Sequence, residues 1–302
     1  MLNYTLRQLE YFVVVAEHGG VAPAAAAAGV SQPSVSTALA KLEAQLGLQL
    51  FLRHHAKGVS LTPGGERLLV IARSLLRHAG ELQRHAAEEG GEVAGELHVG
   101  AFVTLAAAYM PELISGFRQR FPSVSIRLSE GTQDDLVQEL RKGRLELALV
   151  YTAGLPEGLE CARLAAFAPY ALLPARHRLA RAKHVSLQDL AGEPLILLDV
   201  VPSRAYFLGL LERVGIQPKL LLSSPSIEVV RGLVGRGLGY SLLVTRPYGD
   251  HSYDGAPLAV RAIREKIEPA EIAIAWVPGL RPTRLMQAFV DHCTEVFAKR
   301  AG

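Results

Sequence analysis

Cysteine is nearly missing from this 302-residue chain, with Cys161 and Cys293 the whole complement. Two thiols in unrelated contexts exclude a disulfide framework and any Cys-x-x-Cys metal knuckle, and they fit a reducing compartment. Long apolar runs are missing too. Those that occur, such as Leu220–Leu222 or Ala24–Ala28, fall far short of the roughly 18 residues needed to cross a bilayer. No basic segment, apolar stretch and small-residue cleavage site opens the chain, so no secretory signal is expected. The net charge is only +3, compatible with a nucleic-acid partner without arguing for one. Neither Gly-x-x-x-x-Gly-Lys-Ser/Thr, Gly-x-Ser-x-Gly nor His-Glu-x-x-His occurs, which removes the P-loop, the nucleophile elbow and the zincin helix. Gly235-Arg236-Gly237-Leu238-Gly239 looks like a dinucleotide fingerprint, but it follows a helical pattern and precedes a strand, so it reads as a helix end and tight turn. His54, His55, His177 and His184 lack a third ligand at recognisable spacing and read as solvated. The expectation is a soluble, cytoplasmic protein that is not an enzyme, with no metal, no cofactor and no membrane partner.

What is present is core material. Hydrophobic residues make up 49% and charged residues 20%, enough for packed domains, and the length suggests two or three. Three zones separate by pattern. In the first, residues 1–62, Leu6, Leu9, Phe12, Val13 and Ala16 fall on one helical face, and Gly19-Gly20 stops that helix. An alanine-rich helix over 23–28 ends at Gly29. A third helix opens at Val30-Ser31-Gln32-Pro33, with Ser31 as N-cap and Pro33 in the first turn, and stops at Gly47. Residues 63–91 form a single long helix by pattern. Leu68, Ala72, Leu75, Ala79, Leu82 and Ala86 repeat at 4-3-4-3-4, a narrow seam that calls for a partner helix. Gly90, Gly91 and Gly95 read as a hinge.

From residue 92 onward strand and helix patterns alternate. Strands are expected at 97–101, 123–129, 145–150, 170–173, 195–198, 219–222, 238–244, 258–263 and 271–277. Helices fall at 105–120, 133–142, 203–214, 226–235 and 283–299. Such alternation argues for crossovers and a mostly parallel sheet. The number of elements exceeds one compact sheet, so two α/β lobes are the economical reading: lobe I from 92–165 and 269–302, lobe II from 166–268.

The first zone reads as a helix-turn-helix, whose second helix enters the major groove. Ser31, Gln32, Ser34, Ser36 and Thr37 are short or amide groups suited to base edges or phosphates, with Pro33 and Lys41 on the same helix. Residues 51–62 look like two short strands around a basic tip, a wing carrying Arg53 and Lys57. Electrostatics alone do not decide, because residues 1–60 carry one net positive charge. The bland alternative is a packing or dimerisation module. What favours DNA is placement, since Arg53 and Lys57 sit together on the wing and the acids lie elsewhere.

Ala24-Ala25, Val30-Ser31-Gln32-Pro33-Ser34-Val35-Ser36, Leu42-Glu43, Leu46-Gly47, Leu50-Phe51, Arg53 and Leu61-Thr62-Pro63-Gly64-Gly65 together resemble the N-terminal signature of the LysR-type transcriptional regulators. The match runs in register over about sixty residues. The resemblance implies the rest of the architecture: an N-terminal all-α winged helix-turn-helix, a coiled-coil linker helix, then a two-lobed α/β periplasmic-binding-protein-like effector domain. It also implies double-stranded DNA and a small effector as partners, in a homodimer or homotetramer joined through Leu68, Ala72, Leu75, Ala79 and Leu82. The chain departs from the family at Gly20, Ala22, Ala26 and Ala27, where relatives usually carry hydroxyl or other polar residues; this removes an N-cap and some phosphate contacts. Some relatives use paired cysteines as a peroxide sensor, close together in the effector domain. Here the two lie far apart in sequence, and inert structural thiols are expected.

A ligand in such a domain sits between the lobes, at strand ends and helix starts. Three segments qualify: Gly100-Ala101-Phe102-Val103-Thr104, Glu130-Gly131-Thr132-Gln133, and Asp199-Val200-Val201-Pro202-Ser203-Arg204-Ala205-Tyr206. The resemblance matches Thr104, Thr132 and Ser203 to positions that touch the inducer. Hydroxyl caps and helix-start N–H groups favour an anionic group such as a carboxylate, with Arg204 as a bidentate partner if it points inward. Two rival readings stand beside this one: a cytoplasmic solute-binding protein whose N-terminal helices only oligomerise it, and an α/β transferase or hydrolase using the cleft. The second lacks any acid–base–nucleophile cluster.

Overall fold

The computed structural model describes residues 3–54, 58–87, 93–278 and 282–301. Lys57, the side chain of Ala86 and the expected junction at 91/92 lie outside the described residues.

Local chemistry sets the first three helices. Helix α1 (Leu6–His18) starts at a capping box in which the Thr5 hydroxyl accepts from Gln8 N, and it ends at Gly19 in the left-handed region. Helix α2 (Val21–Ala27) begins two residues before the expected start, and its N-cap Gly20 offers no side-chain bond. Helix α3 (Gln32–Leu46) is capped by Ser31, carries Pro33 in its first turn and ends at Gly47, as the sequence indicates. The buried side chains Leu9, Phe12, Ala24, Val35, Leu39 and Leu42 close these helices on one core. Strand β1 (Phe51–His54) pairs antiparallel with β2 (Gly58–Leu61), Phe51 opposite Leu61. Glu43 Oε1 accepts from Leu50 N at 2.8 Å and from Phe51 N at 3.3 Å, which ties this hairpin to α3.

Helix α4 (Pro63–Ala87) leads away from that core. One expectation for it is corrected. Ala72 is fully buried in its own chain beside Leu69 and the core of α1, with Leu68 and Leu75 packed against the same cluster. Its methyl is therefore spent inside the protomer and cannot join two helices of an assembly. Leu82, a member of the expected seam, is 73% exposed, and Ile71, outside it, is 52% exposed, so the uncovered apolar surface of α4 includes part of that seam and a residue beside it.

The remaining chain builds two sheets. In order come β3 (Gly95–Phe102), α5 (Val103–Arg120), β4 (Val124–Gly131), α6 (Gln133–Arg141), β5 (Leu147–Tyr151), β6 (Glu160–Phe167), β7 (Tyr170–Pro174), β8 (His184–Val185), a 3₁₀ turn (Leu187–Leu190), β9 (Pro194–Leu198), α7 (Ser203–Arg213), β10 (Lys219–Ser224), α8 (Ile227–Gly235), β11 (Ser241–Leu243), β12 (Leu258–Ile263), β13 (Ala270–Trp276) and α9 (Arg284–Ala301). The first sheet has the order β4-β3-β5-β13-β6. The second joins β10-β9 to β11-β7-β12-β8 through a parallel bridge from Leu195 to Tyr240. There Gly239 passes so close that a Cβ would lie 2.2 Å from the Pro194 carbonyl oxygen, so only glycine fits.

The expected mostly parallel sheet is replaced by mixed ones. Strands β3, β4 and β5 are parallel, but β13 runs antiparallel to both β5 and β6, and β7 runs antiparallel to β11 and β12. The reason is connectivity: the chain leaves the first sheet after β6, builds the second, and returns as β13 into the gap between β5 and β6. The expected strand at 238–244 contracts to β11. Strands β6 and β8 were not expected at all. Strand β6 is alanine-rich and sits at a sheet edge with four of its eight residues exposed and none buried, so it shows little of the apolar alternation that marks a strand.

Candidate functional site

On α3 the side chains of Ser31, Gln32, Pro33, Ser34, Thr37 and Lys41 are exposed, whereas Ser36 is half-buried. The helix turns its apolar residues Val35, Leu39 and Leu42 inward, which leaves this polar strip facing outward. Ser31 Oγ lies 2.7 Å from Ser34 Oγ, so the cap also orients a neighbouring hydroxyl. Arg53 is exposed on β1. Beside the strip runs an open groove lined by Arg7, Tyr11, Thr37, Lys41 and Gln45. Arg7 Nε donates to the Tyr11 hydroxyl at 3.0 Å, and that bond raises the guanidinium pKa. The α1 members of this groove were not anticipated, because nothing in the sequence shows that the first helix lies alongside α3.

The second candidate lies between the two sheets. Thr104, Tyr151, Ala153 and Ala270 face it from the first lobe; Leu198, Ser203, Tyr206, Ile227, Leu243 and Thr245 face it from the second. Its free volume holds about one water molecule, so the lobes are closed over it. Thr104 is buried and Thr245 Oγ1 lies 3.4 Å from its Oγ1, while the Tyr151 hydroxyl meets Thr245 Oγ1 at 2.9 Å. Tyr170 donates to the Thr245 carbonyl at 2.9 Å. Burial pushes the Tyr151 and Tyr170 phenols up and that of Tyr206 up to about 12. These phenols therefore stay protonated near neutral pH and remain hydrogen-bond donors.

The expected effector residues divide. Thr104 and Ser203 line the pocket. Phe102 is buried just before α5 and packs edge-on against Tyr151 at 5.5 Å. Gln133 is buried and donates Nε2 to the Ala153 carbonyl at 2.8 Å. Thr132 is exposed and locked in a capping box, its hydroxyl donating to Asp135 Oδ2 at 2.6 Å. Ser203 is not the helix cap that was expected: Pro202 occupies that position and no side chain caps the helix. Nor is Arg204 free for an anion, since Nη1 donates to Asp199 Oδ2 at 2.7 Å and holds that carboxyl below its ordinary range. No charged side chain lines the pocket among the described residues. Also among the described residues, no group of three or more His, Cys, Asp or Glu is placed to hold a metal ion, and no helix is long and apolar enough to cross a membrane.

Residues 6–66 match the bacterial regulatory helix-turn-helix model of the lysR family, and residues 90–298 match the LysR substrate binding domain. HinK, a LysR family transcriptional regulator from Pseudomonas aeruginosa, is 45% identical with a TM-score of 0.68, over 99% of this chain and 100% of that one. YvbU, an uncharacterized HTH-type transcriptional regulator of Bacillus subtilis, is 29% identical over 97% of this chain and 99% of its own. CbnR, solved at full length with its target DNA, is 26% identical with a TM-score of 0.58, over 97% and 99%. Two domain models that together span nearly the whole chain, and full-length relatives that share its order of parts, place this protein in the LysR family of transcriptional regulators.

Proposed function

We propose that this regulator binds double-stranded DNA sequence-specifically in the cytoplasm as a homodimer or homotetramer, and that a small effector between the lobes modulates it. The domains are 1–62 for DNA, 63–91 for the linker and 92–302 for the effector. The observation that carries the reading is the outward polar strip of α3, Ser31, Gln32, Ser34, Thr37 and Lys41. It would enter the major groove, with Pro33 and Ser36 completing the strip and Arg53 and Lys57 on the flanking backbone. Assembly is supported by apolar side chains left exposed among the described residues: Ile71 and Leu82 on α4, and Leu220–Leu222 on the edge strand β10.

The effector would be met by Thr104 and Ser203 in the pocket, with Phe102, Thr132, Gln133 and Arg204 around it. A carboxylate would be held by hydroxyls and by the N–H groups opening α5 and α7 rather than by a side-chain cation. Because the lobes are closed on a space of about one water molecule, binding requires them to part. Effector occupancy is thus linked to lobe separation.

A gel shift of the full-length protein on the DNA upstream of its own gene tests this, over a salt series and with unlabelled competitor. The expected result is a discrete, competitor-resistant complex whose affinity falls with salt. The absence of such a complex favours the solute-binding alternative. Repeating the shift against panels of small carboxylates and matched neutral amides tests the effector class. A response to the amides alone overturns the carboxylate.

A further inference from the structure

The linker helix makes polar contacts that neither DNA reading nor effector binding uses. Arg73, 7% exposed, follows Ala72, which packs against α1. Its guanidinium forks. Nη2 donates to Glu17 Oε1 at 2.8 Å, in the last turn of α1. Nη1 donates to the carbonyl of Lys142, the residue that closes α6. One turn further on, Arg77 Nε lies 3.2 Å from Glu146 Oε1, and Nη1 donates to the Gly143 carbonyl at 3.4 Å. Glu146 is itself buried, and its Oε2 accepts from His98 N on β3 at 3.0 Å. Gly143 has φ +65, and a Cβ there would stand 3.3 Å from Arg73 Cδ and 3.6 Å from Val70 Cα. The turn at 142–146 approaches the linker this closely because residue 143 has no side chain.

Helix α6 runs from the pocket to this turn. At its first residue Gln133 holds the carbonyl of Ala153, and Ala153 lines the pocket. At its far end Arg73 holds the carbonyl of Lys142. Between them the buried Leu136, Val137 and Leu140 fix the helix to the sheet over roughly 13 Å. A packed helix gripped at both ends moves as a rigid piece and shifts its ends together.

We propose that α6 and the Arg73–Arg77 pair couple the interlobe pocket to the winged helix of the same chain, by holding α1 against lobe I. Arg73 and Arg77 are positioning residues that touch neither DNA nor effector. Engaged, they fix the angle at which a protomer presents α3. Released, the winged helix is free to swivel on α4. Release leaves a buried guanidinium and carbonyl unpaired, so the contact favours two discrete states over a graded series.

This inference rests on the reading that two protomers bind one duplex. The test uses full-length wild type, Arg73→Met and Glu17→Ala on two probes: the footprinted upstream site, and the same site with about 5 base pairs, half a helical turn, inserted at its centre. Wild type is expected to lose about tenfold or more in affinity on the insertion, and each variant about threefold or less. Hydrogen exchange at 142–146 should rise in Arg73→Met. Glu17 is part-exposed in α1, so Glu17→Ala decides the matter if Arg73→Met fails to fold. Folded variants that discriminate between the probes as sharply as wild type overturn the coupling, as does a wild type that binds both equally. A wild type that binds neither overturns the DNA reading, and the coupling with it.

Discussion

Thr245 is a residue on which the two lobes meet. Its hydroxyl sits between Tyr151 and Thr104 of the first lobe, while its carbonyl accepts from Tyr170. Removing that hydroxyl takes from the buried Tyr151 phenol its partner at 2.9 Å and leaves it Thr104 alone among these groups. Thr245→Val is therefore expected to destabilise the effector domain by about 1–3 kcal/mol. The single Trp276 in β13 reports this in urea unfolding. Tyr151→Phe, which removes donor and desolvation cost together, should lose less; an equal loss would mean that Thr245 acts through packing. The caps at Ser31 and Gly47 were legible because capping is local chemistry. Ser203 was misread because Pro202 before it takes the cap position. The pairing of Tyr151 with Thr245 was not legible, since 94 positions separate them and no short-range rule joins them.

At the scale of elements, periodicity located α4 but not the face it frees. A seam at 4-3-4-3-4 marks one apolar stripe without saying what covers it, and here α1 takes Ala72 and part of Leu68 and Leu75. The exposed remainder near Leu82 is the surface left for a partner helix. Leu82→Glu is expected to preserve the fold of the protomer while lowering the mass of the assembly in multi-angle light scattering. An unchanged mass places the interface elsewhere, with the leucines of β10 the next surface. The helices and most of the buried strands were legible in the same way, since their apolar runs are short and bounded. Edge strand β6 was not, because one-sided pairing asks little of its sequence.

At the scale of the molecule, the described residues form two separate cores, one under α1–α3 with part of α4 and one running through both lobes. The polar contacts of Arg73 and Arg77 join them without merging them. Leu42 is fully buried in the first core, so Leu42→Ala is expected to cost about 2–5 kcal/mol there. Calorimetry should show the winged helix melting earlier while the transition followed by Trp276 stays in place. A single transition that moves as a unit would mean the two parts fold as one. The two-lobed plan itself followed from counting strands, but the direction of β13 did not, because strand order depends on where the chain returns.

That return sets the order in which the protein is completed as it leaves the ribosome. Among the described strands, β6 finds its hydrogen-bonding neighbour in β13 alone, made after the entire second lobe. The later lobe can close while the earlier one still holds an open edge, and the nascent chain carries that unpaired strand until Ala270 emerges.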